Sequence, residues 1–442
     1  MSNEDNELNL AVVGAGYVGL VTAACLSKLG WRVCCIDNDE ARVKGLEAGR
    51  LPFFEDGLDQ AVRDAVAGGG LTFASSAAAA RGAAAVFICV GTLDERGDWS
   101  ARHVNRAVSD IAEDESLPRT LVVRSTLMPG ATARLATLAN ERDPSVEVAH
   151  NPEFTRQGTA IDDFLNPDRV VVGLTRPENE SRAAALLRTV YGHVRAPLLV
   201  TDAASAELIK VGSNVFLAMK AGFANELARL AAATGADVAT VVDGIGLDRR
   251  IGRSYMTPGP GFGGSCLPSQ ARSLPALAHE RGVATPIIDA IDGSNGLQAG
   301  WVVDSLERAV GDLNGKRIGV LGLTFKAGTD DVRESPALRI CYALAARGAA
   351  IAGHDPMGSQ AAAQAAEQSG FVIDVCPTVA AATRDADGLI IATEWPEYHA
   401  LDWPALVQGM RGRVLVDARR VADAQAATSA GLSVIVLGRS AN

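Results

Sequence analysis

One short stretch of the chain concentrates residue types suited to covalent chemistry. Residues 258–268 read PGPGFGGSCLP, so four glycines and three prolines surround a single thiol, Cys266. A segment this rich in proline and glycine suits neither a helix interior nor a central strand. It leaves backbone N–H groups available and lets a ligand approach closely. A thiol held there is accessible, and nearby N–H donors can stabilise a thiolate or an oxyanion. The matching chemistry is nucleophilic attack on a carbonyl; the plainer reading is a small apolar residue closing a turn. Upstream, Lys210 and Asn214 are spaced i, i+4 among Leu208, Ile209, Val211, Val215 and Phe216, so they share one helix face. A lysine there alone reads as a snorkelling or salt-bridged side chain. With an amide one turn on and the thiol loop downstream, it reads instead as a partner of the thiol. Cys25, Cys34, Cys35, Cys89, Cys341 and Cys376 lie in apolar stretches and read as buried, reduced thiols. No His/Cys cluster has zinc spacing, so no metal is expected.

A second kind of chemistry is written near the N-terminus. Gly14-Ala15-Gly16-Tyr17-Val18-Gly19 gives GxGxxG between an apolar β-type run and a helical one. The first glycine permits a tight turn, the second lets backbone approach a pyrophosphate, and the third allows close helix–strand packing. The helix N-terminus then offers free N–H groups and a positive dipole end. Asp37 closes the next β-type run, where a carboxylate holds both ribose hydroxyls and repels a 2′-phosphate. Asn38 and Asp39 follow it with no immediate arginine. The pattern predicts a dinucleotide, NAD rather than NADP. Gly91-Thr92 and Ser125-Thr126 end later β-type runs, at the sheet edge where such a cofactor lies.

These residues need elements to hold them. LNLAVVGAG, WRVCCID, AVFICVGT, TLVVRST, VEVAHNP, VVVGLT and APLLVTD read as strands alternating with Ala-rich helices, which implies a parallel sheet covered on both faces. From 203 to about 233 a helical apolar period runs without proline, enough for one helix of roughly 45 Å. Alternation resumes with KRIGVLGL, AAIAGHDP, FVIDVC, GLIIATEW, RVLVDAR and LSVIVLG. The expected architecture is α/β: two Rossmann-like doubly wound parallel-sheet domains joined by a helical centre with a long helix. The boundaries fall at 1–202, 203–312 and 313–442, consistent with about three domains for this length.

With 442 residues, 48% hydrophobic and a formal charge of -11, the chain suits a packed globular protein and not a general nucleic-acid or membrane-surface binder. An anionic substrate must then meet local cations. No run approaches the roughly 20 apolar residues of a membrane span, and the acidic start MSNEDNEL is no signal peptide. A cytoplasmic location is expected.

Taken together, GAGYVG, LPFFEDGL, VGT, STLMPG, NPEF, ELIKVGSNVFLAMKAGFANE, RIG, PGPGFGGSC, LGLTFKAGTDDVRESPAL, ATEW and DAR resemble, in order and spacing, the UDP-glucose/GDP-mannose dehydrogenase family along nearly the whole chain. The resemblance implies a four-electron oxidation of carbon 6 of a nucleotide-linked hexose, from primary alcohol to carboxylate, with two NAD molecules reduced in turn. It implies that Cys266 carries a thiohemiacetal and then a thioester, and that Lys210 and Asn214 stabilise the negative oxygen. Glu153 and Phe154 of NPEF fall near the reacting sugar, with Thr126 and Glu153 between sugar and cofactor. Phe262 and Gly263 are implied substrate contacts. Lys326, Arg333 and Arg419 match the nucleotide-diphosphate side, Arg333 being also assigned to the cofactor. Arg250 matches a residue that reaches the partner's site in a homodimer built on the long helix.

The sequence departs from the family pattern near the thiol. Ser269 and Gln270 stand where the family has Lys-Asp, and Gln157 where it often has Glu. A glutamine orients water but cannot take its proton at neutral pH. Three readings follow: an enzyme making the uronic acid, one that stops at the aldehyde or hydrolyses the thioester slowly, and a non-catalytic binder. The motifs leave the base and the sugar open, with SCLPSQARSL and LTFKAGTDDVRESPAL at least as close to GDP-mannose enzymes as to UDP-glucose ones.

Overall fold

The computed structural model describes residues 8–95 and 97–439, so the acidic residues 1–7 lie outside it. The chain divides into two units, 1–213 and 214–442.

Among the described residues of the first unit, eight strands form one sheet in the order β3-β2-β1-β4-β5-β6-β7-β8. They are β1 (Asn9–Val13), β2 (Arg32–Ile36), β3 (Leu71–Ala74), β4 (Ala85–Ile88), β5 (Thr120–Val123), β6 (Glu147–His150), β7 (Val170–Leu174) and β8 (Leu198–Asp202). β4 and β5 are buried at every residue. Helices cover both faces of such strands, which is why they read as unbroken apolar runs. β3, whose LTFA is short and half buried, carries no long apolar run to mark it in the sequence.

The sheet is not parallel throughout. β6 pairs β7 antiparallel, His150 opposite Gly173, and β8 follows β7 in parallel. The connection between them carries one short helix, Ala160–Leu165, and β7 starts at the edge where β6 ended. The long helix Ala203–Thr234 then starts at the opposite edge and runs back over β7. Gly173 makes room for it: a Cβ there would lie 2.5 Å from Ala206 Cβ. This reversal brings the first turns of the long helix towards the NPEF loop after β6.

In the second unit β9 (Arg317–Leu321), β10 (Ala350–His354), β11 (Asp374–Val375), β12 (Gly388–Ile391), β13 (Val414–Asp417) and β14 (Ser433–Val436) form a sheet ordered β11-β10-β9-β12-β13-β14. Each pairing is parallel. Its order repeats that of the first six strands of the other sheet, the dinucleotide-fold order. The helices Val238–Gly246, Leu267–Glu280 and Pro286–Val310 precede it. No helix among the described residues is long and apolar enough to cross a membrane.

Candidate active site

In the first unit the glycine motif behaves as its spacing predicts. Gly14 has φ +100°, and a Cβ there would lie 2.7 Å from the Cys89 carbonyl oxygen. A Cβ on Gly19 would lie 1.7 Å from the Gly14 carbonyl oxygen, whereas one on Gly16 would meet nothing within 4 Å. Two glycines thus close the turn and the third leaves open space at the start of helix Tyr17–Lys28. The space fits a pyrophosphate against the helix N-terminus. Asp37 is buried, and its Oδ2 accepts the Ala15 N–H at 2.7 Å. An arginine does stand beside it: helix Glu40–Glu47, capped by Asp39, returns Arg42 Nη1 to 3.2 Å from Asp37 Oδ2. Sequence proximity alone hid this pair. Thr92 and Thr126 follow β4 and β5 at the same edge, and the Thr126 carbonyl is held by Trp99 Nε1 at 2.9 Å. Tyr17, by contrast, gives its hydroxyl to buried Glu55 Oε2 at 2.7 Å, and Val18 packs in the helix's first turn. Burial, with the Glu55 carboxylate, raises the Tyr17 pKa and keeps the phenol protonated.

Glu153 and Lys210 meet in a buried ion pair, Nζ to Oε1 at 3.1 Å. Glu153 Oε2 accepts the Thr155 N–H at 2.7 Å and its hydroxyl at 2.5 Å. Burial alone would raise the carboxyl pKa, but the Lys210 charge and these hydrogen bonds outweigh it and hold it below the usual range. Phe154 lies under two cations, Arg169 Cζ at 4.0 Å and Lys210 Nζ at 5.1 Å from its ring centre. Glu207, fully buried one turn before Lys210, accepts from Gly130 N and Thr132 N at 2.6 Å each. That anchors the long helix and so aims Lys210. His150, just before NPEF, is fully buried and its pKa is pushed down to about 3 by burial, so its imidazole is neutral. Asn214 follows Lys210 by one turn on the same helix and has no side-chain hydrogen bond among the described residues.

In the second unit Cys266 is exposed, caps helix Leu267–Glu280 and has Ser265 Oγ at 3.7 Å from its sulfur. The other six cysteines are unpaired and buried, Cys34 only partly. Ser269 and Gln270 are buried in the first turns of that helix, and Gln270 Oε1 finds no partner. The thiol loop is held at several points. Asn295 bonds both the N–H and the carbonyl of Phe262 at 2.9 Å each, Asn225 accepts the Gly259 N–H at 2.8 Å, and Gly264 donates to the Arg333 carbonyl at 3.0 Å. Gly263 packs on Glu334, where a Cβ would lie 2.4 Å from the carbonyl oxygen. Arg419 stands beside Gly259 and bonds the Ala392 and Phe325 carbonyls at 3.0 and 3.1 Å. Lys326 Nζ lies 5.9 Å from the Phe325 ring centre, and Arg333 is gripped by Asp331, Nη2 to Oδ2 at 2.6 Å. Arg250 is exposed on a loop, paired with Asp248 at 2.6 Å. The structure therefore gathers Glu153, Phe154 and Lys210 in one unit, and Cys266, Gln270, Phe262, Gly263, Arg333 and Arg419 in the other.

The second sheet repeats the first at its turn but closes it. Gly14 N donates to Ile36 O and Gly322 N to His354 O, both at 2.7 Å. Asp355 occupies the place of Asp37 and takes the Leu323 N–H at 2.7 Å. It also accepts from Thr324, Met357, Gly358 and Trp395. A carboxylate so saturated has no lone pair left for a ribose.

Comparison with known proteins points to one family. Residues 8–195, 204–296 and 319–424 match the NAD binding, central and UDP binding domains of one family. The chain is 37% identical to UDP-glucose 6-dehydrogenase of Rickettsia bellii, over 98% of this chain and 99% of the relative. It is 38% identical to the same enzyme of Rhizobium meliloti, over 98% and 100%. Its structure is similar to a UDP-glucose dehydrogenase from Pyrobaculum islandicum, with TM-score 0.89 and 37% identity over 100% of both chains. With a GDP-mannose dehydrogenase from Pseudomonas aeruginosa the TM-score is 0.52, at 28% identity over 97% and 99%. Matched in all three parts and over its full length, the chain belongs to the UDP-glucose/GDP-mannose dehydrogenase family, an NAD-dependent enzyme of the nucleotide-sugar 6-dehydrogenase type.

Proposed function

We propose that this enzyme oxidises carbon 6 of UDP-glucose to the uronic acid, with Cys266 as acyl carrier. The observation carrying the reading is the exposed thiol at the head of a helix, on a loop fixed by buried amides. The curated relatives named as UDP-glucose 6-dehydrogenases favour uridine and glucose over guanosine and mannose. We keep the division at 1–202, 203–312 and 313–442, with NAD on the first part and the nucleotide on the last.

NAD, when bound, would supply the hydride acceptor for each of two oxidations at carbon 6, the hydroxyl proton of the first leaving to solvent. Gly14, Gly16 and Gly19 would admit its pyrophosphate and Asp37 would hold the ribose, with Thr92, Thr126 and Arg333 as further proposed contacts. Glu153 and Phe154 position the sugar. Once carbon 6 is an aldehyde, the Cys266 sulfur bonds to it, and its oxygen becomes anionic. Lys210 supplies charge to that oxygen and Asn214 a hydrogen bond. After the second oxidation the carbon is a thioester. Water adds to it, the C–S bond breaks, the electron pair returns to Cys266 and a proton is released. Lys326, Arg419 and the backbone at Phe262 and Gly263 hold the nucleotide and sugar. Arg250 serves the neighbouring site of a homodimer.

One observation favours a slower last step. Gln270 lies one turn beyond Cys266 with an unpartnered, buried Oε1. An amide there accepts a hydrogen bond from water but leaves its proton in place. Pre-steady-state NADH release from UDP-glucose tests both points. Two NADH per sugar, with a burst and then slow turnover, is expected. Gln270→Asp, paired with Ser269→Lys, should raise the steady rate by about ten-fold or more, given that general-base help is worth roughly 10²–10⁴-fold. Two NADH without a burst makes the amides substrate tuning, one NADH makes the aldehyde the product, and acid made at the wild-type rate by Cys266→Ser refutes the covalent route.

A further inference from the structure

We propose that Asn295 and Gln298 are positioning residues for the Cys266 loop, acting with Asn225 as a buried amide clamp. The inference rests on the covalent reading above. A loop of alternating glycine and proline has little conformation of its own, and its backbone groups cannot pair in a helix or sheet. Something else has to fix it. Helix Pro286–Val310 carries Asn295 and Gln298 at i, i+3, so both project from one face. Asn295 is 3% exposed and Gln298 0%, which bars either from touching substrate. Asn295 acts like a strand edge: Oδ1 accepts the Phe262 N–H and Nδ2 donates to the Phe262 carbonyl, each at 2.9 Å. Gly261, at φ +122°, passes so close that a Cβ would lie 2.8 Å from Asn295 Oδ1. Gln298 Nε2 donates to the Gly259 carbonyl at 2.9 Å, while its Oε1 is held by Arg229 of the long helix. Asn225, also 3% exposed, accepts the Gly259 N–H at 2.8 Å.

The two residues clamped, Gly259 and Phe262, lie seven and four positions before the thiol. Between them the loop is pinned through both backbone donor and acceptor, so neither peptide can rotate without breaking a buried bond. Downstream, Gly264 is tied to the Arg333 carbonyl at 3.0 Å. The stretch between these ties carries Phe262 and Gly263, the proposed sugar contacts, and leads directly into Cys266. Fixing it sets where the sulfur meets carbon 6. A misplacement of about 1 Å can cost roughly 10²-fold in rate.

Asn295→Asp is the sharp test. It keeps an acceptor for the Phe262 N–H but sets a carboxylate oxygen against the Phe262 carbonyl. Gln298→Glu likewise keeps the Arg229 contact and loses the donor to Gly259. Each full-length variant is assayed for kcat and KM with UDP-glucose and NAD, for NADH burst amplitude, and for melting temperature. Ile351→Val, a core change in β10, serves as the control for lost stability. The clamp predicts kcat lowered by about 10-fold or more, with the NAD KM within about two-fold of wild type, and Ile351→Val with unchanged kcat at a similar melting temperature. If Asn295→Asp does not fold, Gln298→Glu and Asn225→Ala carry the same expectation. Folded variants with wild-type kcat, or with kcat and NAD KM failing together as in a general loss of structure, overturn it. Wild type that releases no NADH with UDP-glucose or GDP-mannose instead overturns the function proposed above, so the two failures are distinct.

Discussion

At the scale of single residues, the proposed cofactor carboxylate, Asp37, is the most directly testable group. Asp37 is fixed by the Ala15 N–H, and Arg42 leans on it from 3.2 Å. A carboxylate there accepts ribose hydroxyls and repels a 2′-phosphate, while the guanidinium alone would welcome that phosphate. In the proposed ribose subsite the two charges would compete, with the carboxylate favoured because it is buried and the arginine is partly exposed. Asp37→Ser should therefore lower kcat/KM for NAD and raise it for NADP, shifting the ratio by about 10²-fold, the worth of roughly 3 kcal/mol. Asp37→Ser with Arg42→Ala should lose the NADP gain. Paired kcat/KM measurements with both cofactors check this, and an unchanged ratio in Asp37→Ser would show that discrimination lies elsewhere. Lys210 is a different case: its charge is engaged by Glu153 at 3.1 Å, so in the proposed mechanism part of that interaction would be shared with the substrate oxygen.

Among the elements, the long helix matters most, and a glycine decides where it lies. Gly173 in β7 would place a Cβ 2.5 Å from Ala206 Cβ and 3.0 Å from Ala203 Cα. Gly173→Ala must push the start of the helix away from β7, at a cost of about 1–3 kcal/mol for overpacking. Glu207 and Lys210 sit on the displaced turns, so kcat should fall several-fold along with the melting temperature. A variant with wild-type kcat and melting temperature would show that the helix has slack. Nothing in VVVGLT announces that role, and the antiparallel turn of β7 was equally hidden. Apolar runs report burial on both faces but not strand direction. The GxGxxG turn, the long helix and the thiol loop were legible, because each depends on local spacing. Glu55, Asn225, Asn295 and Gln298 were not, because each is defined by a backbone group 30 or more positions away. The i, i+3 amides of SNGLQ, both turned into a buried face, were the nearest available signal.

For the whole molecule, the surface of the long helix bears on assembly. Phe216, Phe223 and Leu230 are 55%, 48% and 59% exposed, and they recur every seven residues on one helix. A seven-residue apolar repeat is the pattern of a helix that packs along another helix. Left in water, three large side chains in a row form a costly surface, since burying each is worth about 1.5–3 kcal/mol. The opposite face is occupied within its own unit, where Ala228 and Ala231 pack with Val238 and Val242. The exposed stripe is therefore the face that a second copy of the chain would cover. Phe223→Glu, at the middle of the stripe, should turn the proposed dimer into a monomer in light scattering at micromolar concentration. Because Arg250 is proposed to serve the neighbouring site, the monomer should also lose activity with UDP-glucose, and mixing it with Cys266→Ser protein should restore none if the stripe fails to pair. A Phe223→Glu protein that stays dimeric would move the interface to another surface, and a fully active monomer would remove Arg250 from the partner's site.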